Sequence, residues 1–282
     1  MDRKMFDCLQ ECFRNGRIDI EMEEHVFICE DSIDGILTGV YVAYQFKKEE
    51  GIESHDSLHL AIGEPDTIRL FTQYHCVYTD REKSKKVIRT LKRELGESVY
   101  YDLCLAMVCA DEEKADAVYH TIVVGLKYHD KNVFERLHND AVHKAFACGR
   151  RTKNELHYSK EFLRFEELKN GILYAKIGPR NHVLPFLVPH FADRLPGENF
   201  IIYDENRGEF ALHPKFRQWY MVTKKDFEED KLIFSEEEQI YKALFTEFCS
   251  TIAIEERVNL KLQQQMAPLR YRPYMVEFAN KQ

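Results

Sequence analysis

The chain has 282 residues, a formal net charge of −8, and is 44% hydrophobic and 31% charged. That is enough chain for one large domain or two ordinary ones around a sizeable core. The acidic balance argues against a protein that coats DNA over its whole surface. No run approaches the roughly 18 apolar residues of a membrane span. The opening MDRKMFDCLQE also lacks the apolar core of a signal peptide, so a cytoplasmic protein without membrane contact is expected.

The N-terminal part predicts a short strand over His25–Glu30, then a helix capped by Asp31 or Ser32. Ile33, Ile36, Leu37, Val40, Tyr41 and Tyr44 fall at helical spacing along it. A second strand is predicted at Tyr74–Tyr78. Thr79 and Glu82 read as a capping box for a helix over Asp80–Leu95, its outer face carrying Lys85, Lys86, Arg89, Lys92 and Arg93. Three more helices are predicted at 98–110, 111–127 and 131–149, with Gly149 as the stop.

After residue 150 the texture changes. Phe162–Leu168 and Ile172–Ile177 flank Lys169-Asn170-Gly171, and Asn-Gly between strand-like runs predicts a hairpin. Val183–Leu195 predicts a helix with Pro185 in its first turn. Strands follow at Asn199–Tyr203, Glu209–His213 and Phe216–Val222, with a turn at 204–208, and two helices near 235–250 and 254–266. The expected class is α+β: a helix-rich N-terminal half with a few strands, and a C-terminal half with a largely antiparallel sheet flanked by helices. The boundary is placed at 150, giving 1–150 and 151–282 as two parts or one continuous domain.

The charge is unevenly spread. Residues 1–70 hold 16 acids against 7 bases, whereas 81–93 hold 7 bases against one acid and 141–194 hold 10 bases against 5 acids. Basic islands in an acidic chain suit a local phosphate contact. The eight cysteines form no CxxC pair, so the usual structural-zinc spacing is absent, as is the CxxxCxxC run of a radical SAM cluster. P-loop, GxGxxG, GxSxG and HExxH patterns are absent too. No cofactor and no metal site are expected.

Three constellations lie between Lys153 and Tyr271. In the first, Glu155, His157 and Tyr158 precede Phe162–Phe165; on a strand, Arg164 between two aromatics can pair a phosphate and stack on a base. In the second, a turn delivers Arg180, Asn181 and His182 to a helix start, where free amides and the dipole favour an anion and Asn181 suits the N-cap. His190, Asp193 and Arg194 follow on that helix, and His190 with Asp193 or Asp204 could form an acid/base pair beside Arg194. In the third, Glu256, Asn259 and Gln263 line one helical side, flanked by Arg257, ahead of Arg270 and Tyr271; such groups can read base edges or sugars. Solvated helix faces, an ordinary cap and a surface salt bridge are the plainer readings of the same residues.

These segments resemble a bacterial "probable DNA metabolism protein" family, a domain of unknown function. The resemblance begins at Asp34–Tyr41 and sharpens at Glu155-Leu156-His157 with Phe162–Phe165. It is strongest at Asn181–Pro185 with Pro189–Arg194, and continues at Ile202–Asp204 with Arg207-Gly208. It ends at Glu256–Asn259, Gln263, Met266–Pro268 and Arg270-Tyr271, and Glu161 stands where the family tends to have glycine. Proteins of this kind are typically encoded beside a DNA modification or repair radical SAM protein, and a related domain is sometimes fused to a uracil-DNA-glycosylase-like domain. The resemblance implies an accessory factor in DNA repair or modification that handles DNA or a nucleotide with a radical SAM partner. On that reading His157, Arg164, Arg180, Asn181, His182, Arg194, Arg207, Arg257, Asn259, Gln263, Arg270 and Tyr271 hold nucleic acid. The alternatives are a stand-alone enzyme on a damaged base, using His190, Asp193 and Asp204, and an interaction module without nucleic-acid affinity.

Overall fold

A computed structural model describes residues 24–63, 69–224, 233–251 and 259–278. The chain divides into two compact units. Unit 1 holds the described residues up to Tyr100 together with Glu112–His143; unit 2 holds Tyr101–Asp111 and the described residues from Lys144 onward.

Unit 1 is built on a parallel three-stranded sheet in the order β2-β1-β3, with β1 at Glu24–Cys29, β2 at Leu58–Ile62 and β3 at Thr72–Cys76. A central parallel strand is covered on both faces, which is why Val26, Phe27, Ile28 and Cys29 are all buried in sequence. The crossover helix α1 (Ile33–Glu49) is capped by Ser32, whose hydroxyl accepts from the Gly35 amide, and buries Ile36, Leu37, Val40 and Ala43. Gly39 is required there: a Cβ would strike Cys29 Sγ and stand 3.1 Å from Leu60 Cδ2. Helix α2 (Arg81–Glu94) is capped by Asp80, which accepts from the amides of Glu82 and Lys83. Thr79 is therefore not the cap; its hydroxyl donates to Glu30 instead. Its outer face is basic as expected, with Lys85, Lys86, Arg89 and Arg93 exposed. Helix α3 (Glu97–Met107) follows in the chain, and helix α4 (Lys114–Tyr128) packs on β2.

Unit 1 carries several half-buried histidines. His25 Nδ1 lies 3.2 Å from His75 Nε2, and His75 stacks on Phe27 with ring centroids 4.9 Å apart. Burial, and then the nearby His25, push His75 down to about 4; burial, with Lys47 and His120, does the same to His55. Folding thus favours neutral rings, and below about pH 6.5 the unfolded chain binds the extra protons. Their contribution is complete above about 6.5 and is lost as pH falls towards 4. Urea unfolding midpoints at pH 7.5 and 5 are expected to fall on acidification, and His75→Phe to shrink that difference. An unchanged difference in the variant would reject the assignment.

Unit 2 holds a five-stranded mixed sheet in the order β4-β5-β6-β7-β8, at Glu166–Glu167, Leu173–Ile177, Phe200–Asp204, Glu209–His213 and Tyr220–Thr223. All its pairings are antiparallel except β5 with β6. Both faces are covered. Ala175, Ile177, Phe200, Ile202 and Ala211 pack against Leu184, Leu187, Val188 and Phe191 of α6 (Leu184–Arg194). Tyr174, Ile201, Tyr203 and Phe210 form the core on the other side with Leu168. That two-sided burial explains why every residue of β6 is buried.

Two expectations change. Gly149 does not stop a helix: α5 runs from Asp140 to Phe162. A stripe of small and apolar residues, Ala145, Cys148, Thr152, Leu156 and Ser159, continues through it at helical spacing and is buried throughout. Burial along that stripe outweighs the roughly 1 kcal/mol cost of a mid-helix glycine. Phe162–Leu168 is consequently no full strand, since only Glu166–Glu167 pairs with β5. The Asn-Gly turn itself forms: Asn170 Oδ1 accepts from the Ile172 amide, and the Gly171 amide donates to Leu168 O. Near the C-terminal end come α7 (Glu236–Thr251), α8 (Leu260–Met266) and a 3-10 segment, Leu269–Tyr274. Among the described residues no helix is long and apolar enough to cross a membrane.

Candidate functional site

The site grows from one buried carboxylate. Glu155, on the inner stripe of α5, is 2% exposed. Its Oε1 accepts from the Arg180 amide at 3.0 Å and its Oε2 from the Asn181 amide at 2.8 Å. Arg270 NH1 stands 3.5 Å from Oε1. The loop Gly178–His182 between β5 and α6 is thereby stapled to the helix. A buried ion without such donors would be far too costly to keep.

The loop is held from its other sides as well. Asn181 Oδ1 accepts from the Ala110 amide at 2.8 Å, and the His182 amide donates to Val108 O at 3.0 Å. Arg207, in the β6–β7 turn, donates to Pro179 O at 3.2 Å, to Arg180 O at 2.6 Å and to Asp204 Oδ2 at 3.1 Å. Asn206 Nδ2 adds a bond to Pro179 O at 2.9 Å. His182 Nε2 lies 2.7 Å from Glu209 Oε2, close enough for charge pairing though off the line of a good hydrogen bond. His182 holds the Glu209 carboxyl below its ordinary range. Asp204 is fully buried, and that burial raises its pKa against the opposing pull of Arg207.

The tail segment completes the cluster. Tyr271 is buried, its ring 5.5 Å from those of Tyr158 and Phe162. Arg270 NH2 donates to the Tyr271 hydroxyl at 2.6 Å. A small apolar slot of about 20 Å³ lies between Phe162, Leu163, Gly178, Tyr271 and Tyr274.

Three constellations read from the sequence therefore meet around one loop, through Glu155, through Arg180, Asn181 and His182, and through Arg270 and Tyr271. Several assigned roles change. The amides expected to cradle an anion are already occupied, and Glu155 itself stands where the anion would. Asn181 is not the N-cap of α6, which is Val183 without a side-chain bond; its side chain serves Ala110 instead. Arg164 is not displayed between aromatics on a strand. It closes the end of α5 by donating to Glu161 O and Leu163 O, and pairs Glu277 at 2.8 Å. Arg207 is a clamp on the loop rather than a free cation.

The acid/base pair is not formed. His190 packs on Phe191, with ring centroids 5.1 Å apart, and has no hydrogen bond or ion pair to Asp193 or Asp204 among the described residues. Burial, with Lys160 and Arg194 nearby, lowers its pKa. Asp193 and Arg194 are exposed. His157 is exposed and pairs with Glu161 at 3.1 Å. Asn259 caps α8 by accepting from the Leu262 amide, and Gln263 is exposed on that helix. Arg257 lies outside the described residues.

Sequence reading missed Glu155 as the organising group and Ala110 as Asn181's partner. It also missed a row on α7: Ile240, Tyr241, Leu244, Phe245 and Phe248 are all exposed. Their i, i+1, i+4, i+5, i+8 spacing was there to be read. Asn181→Ala is expected to cost about 0.5–1.5 kcal/mol, the net worth of its bond to the Ala110 amide, because Ala110 is exposed and water can replace the lost acceptor. Chemical denaturation checks it, and a loss under about 0.5 kcal/mol would reject that bond's importance.

Unit 2 is thus a mixed-sheet α+β unit whose polar centre is a loop locked by a buried carboxylate. The domain of unknown function DUF4130 matches residues 112–277, and the chain belongs to that family. No curated protein matches the chain.

Proposed function

We propose that unit 2 holds the phosphate backbone of nucleic acid, and that the protein is an accessory factor in DNA repair or modification whose chemistry is supplied by a radical SAM partner. The observation that carries this reading is the presentation of Arg180. Its backbone is fixed on both sides by Glu155 and Arg207, yet its side chain is exposed and has no partner among the described residues. A cation on a rigid loop is pre-organised for a phosphate, because little entropy remains to be lost. Arg150 and Lys153 are likewise exposed on α5, Arg194 on α6, and Lys160 lies near His190. The DNA assignment and the radical SAM partner rest on the family resemblance. Fluorescence anisotropy with labelled single- and double-stranded oligonucleotides at low salt tests the reading: binding of either is expected, and binding of neither overturns it.

A second role, docking of the partner protein, is favoured by the exposed apolar row on α7, since such patches mark interaction surfaces. Co-purification with a radical SAM partner protein, lost on Leu244→Asp with Phe248→Asp, is the expected result.

A further inference from the structure

The geometry points to a divalent transition-metal site in unit 1, formed by His59, Asp116 and His120. His59 stands on β2, while Asp116 and His120 are four apart on α4 and so share a helical face. His59 Nδ1 lies 3.2 Å from Asp116 Oδ1 and 3.3 Å from Oδ2. His120 Nε2 lies 3.5 Å from the same Oδ1. All three ligand atoms fall within 4.8 Å of one another.

These separations match what a metal demands. Two ligands bound at about 2.0–2.1 Å around a tetrahedral zinc ion stand about 3.4 Å apart. A hydrogen-bonded ion pair needs one histidine, whereas here two imidazoles from two elements aim ring nitrogens at one carboxylate. The carboxylate is itself oriented, because Oδ1 also accepts from the Leu60 amide at 3.0 Å. Such outer bonds fix metal ligands in place. The tilted His59 and His120 rings, 5.5 Å apart and 60° inclined, bring their nitrogens together without stacking.

The donor set selects the metal class. Two imidazoles and one carboxylate suit zinc and its first-row neighbours; calcium and magnesium prefer all-oxygen sites. The side chains of His59, Asp116 and His120 are 30%, 35% and 19% exposed, which leaves an entry path and a face open to water. Three protein ligands with an open position are the pattern of zinc sites that bind a water or a substrate group. This site lies in unit 1 and stands independently of the nucleic-acid reading of unit 2.

The test is calorimetric titration of the chelator-stripped full chain with zinc chloride, together with the visible spectrum of the cobalt(II) form. One equivalent is expected to bind, with a cobalt spectrum of nitrogen and oxygen ligation that lacks thiolate charge transfer. His59→Gln and His120→Gln, each confirmed as folded by circular dichroism, are each expected to weaken binding at least about tenfold. Absent stoichiometric binding, thiolate charge transfer from the cysteines, or wild-type affinity in both variants would overturn the proposal.

Discussion

Glu155→Ala is expected to lower the unfolding free energy by about 2–5 kcal/mol, because it leaves two backbone amides without their acceptor. The reason is local and additive. Two amides, of Arg180 and Asn181, lose their acceptor at 3.0 and 2.8 Å inside the protein. Each orphaned buried donor costs about 1–3 kcal/mol. Arg270 also loses its carboxylate, although its half-exposed side chain is screened by water. Glu155→Gln keeps one acceptor oxygen and turns a donor towards the second amide, so it is expected to fall between wild type and alanine. Urea unfolding of the three proteins reads this order. An alanine variant within about 1 kcal/mol of wild type would show that the loop is held by other means.

Reversing charge at Arg180 and Arg194 is expected to weaken DNA binding by at least about tenfold near physiological salt, with little change in stability. Both side chains are exposed, and neither makes an ion pair or side-chain hydrogen bond among the described residues. Surface substitutions of that kind usually stay within about 0.5 kcal/mol. Each lost phosphate contact should also reduce the salt dependence of log K by about one. Arg207→Glu is the contrasting case: it breaks three bonds that fix the loop and should lose stability together with affinity. Arg180→Glu/Arg194→Glu with wild-type affinity would remove these two side chains from the interface.

Much of the fold was legible because it is written locally. A helix cap at Asp31 or Ser32, of which Ser32 serves, the inner stripe of α1, the basic face of α2, the Asn170-Gly171 turn and the Glu209–His213 strand all follow from neighbours in sequence. The failures came where a local signal lost to a tertiary one. Gly149 looked like a stop, but the buried stripe on either side of it carries α5 to Phe162. Asn181 looked like a cap, but its side chain answers Ala110, 71 positions away in the chain.

The site shows the same division. That His182, Arg270 and Tyr271 belong near one another was suggested by their shared resemblance to one family. That Glu155 fills the anion position could not be read, because nothing about a glutamate on a helix reveals that two amides from another segment will meet it. The His59, Asp116 and His120 cluster was only half legible. Asp116 and His120 show helical spacing, but His59 lies 57 positions from Asp116 and reaches it only through the packing of α4 on β2.

The measurement that bears most directly on the function is equilibrium binding of the full chain to labelled DNA across a salt series. With a handful of phosphates engaged, log K should fall linearly with log salt, with a slope of about −2 to −4. No measurable affinity for single- or double-stranded DNA at the lowest salt, or an affinity indifferent to salt, would contradict the account.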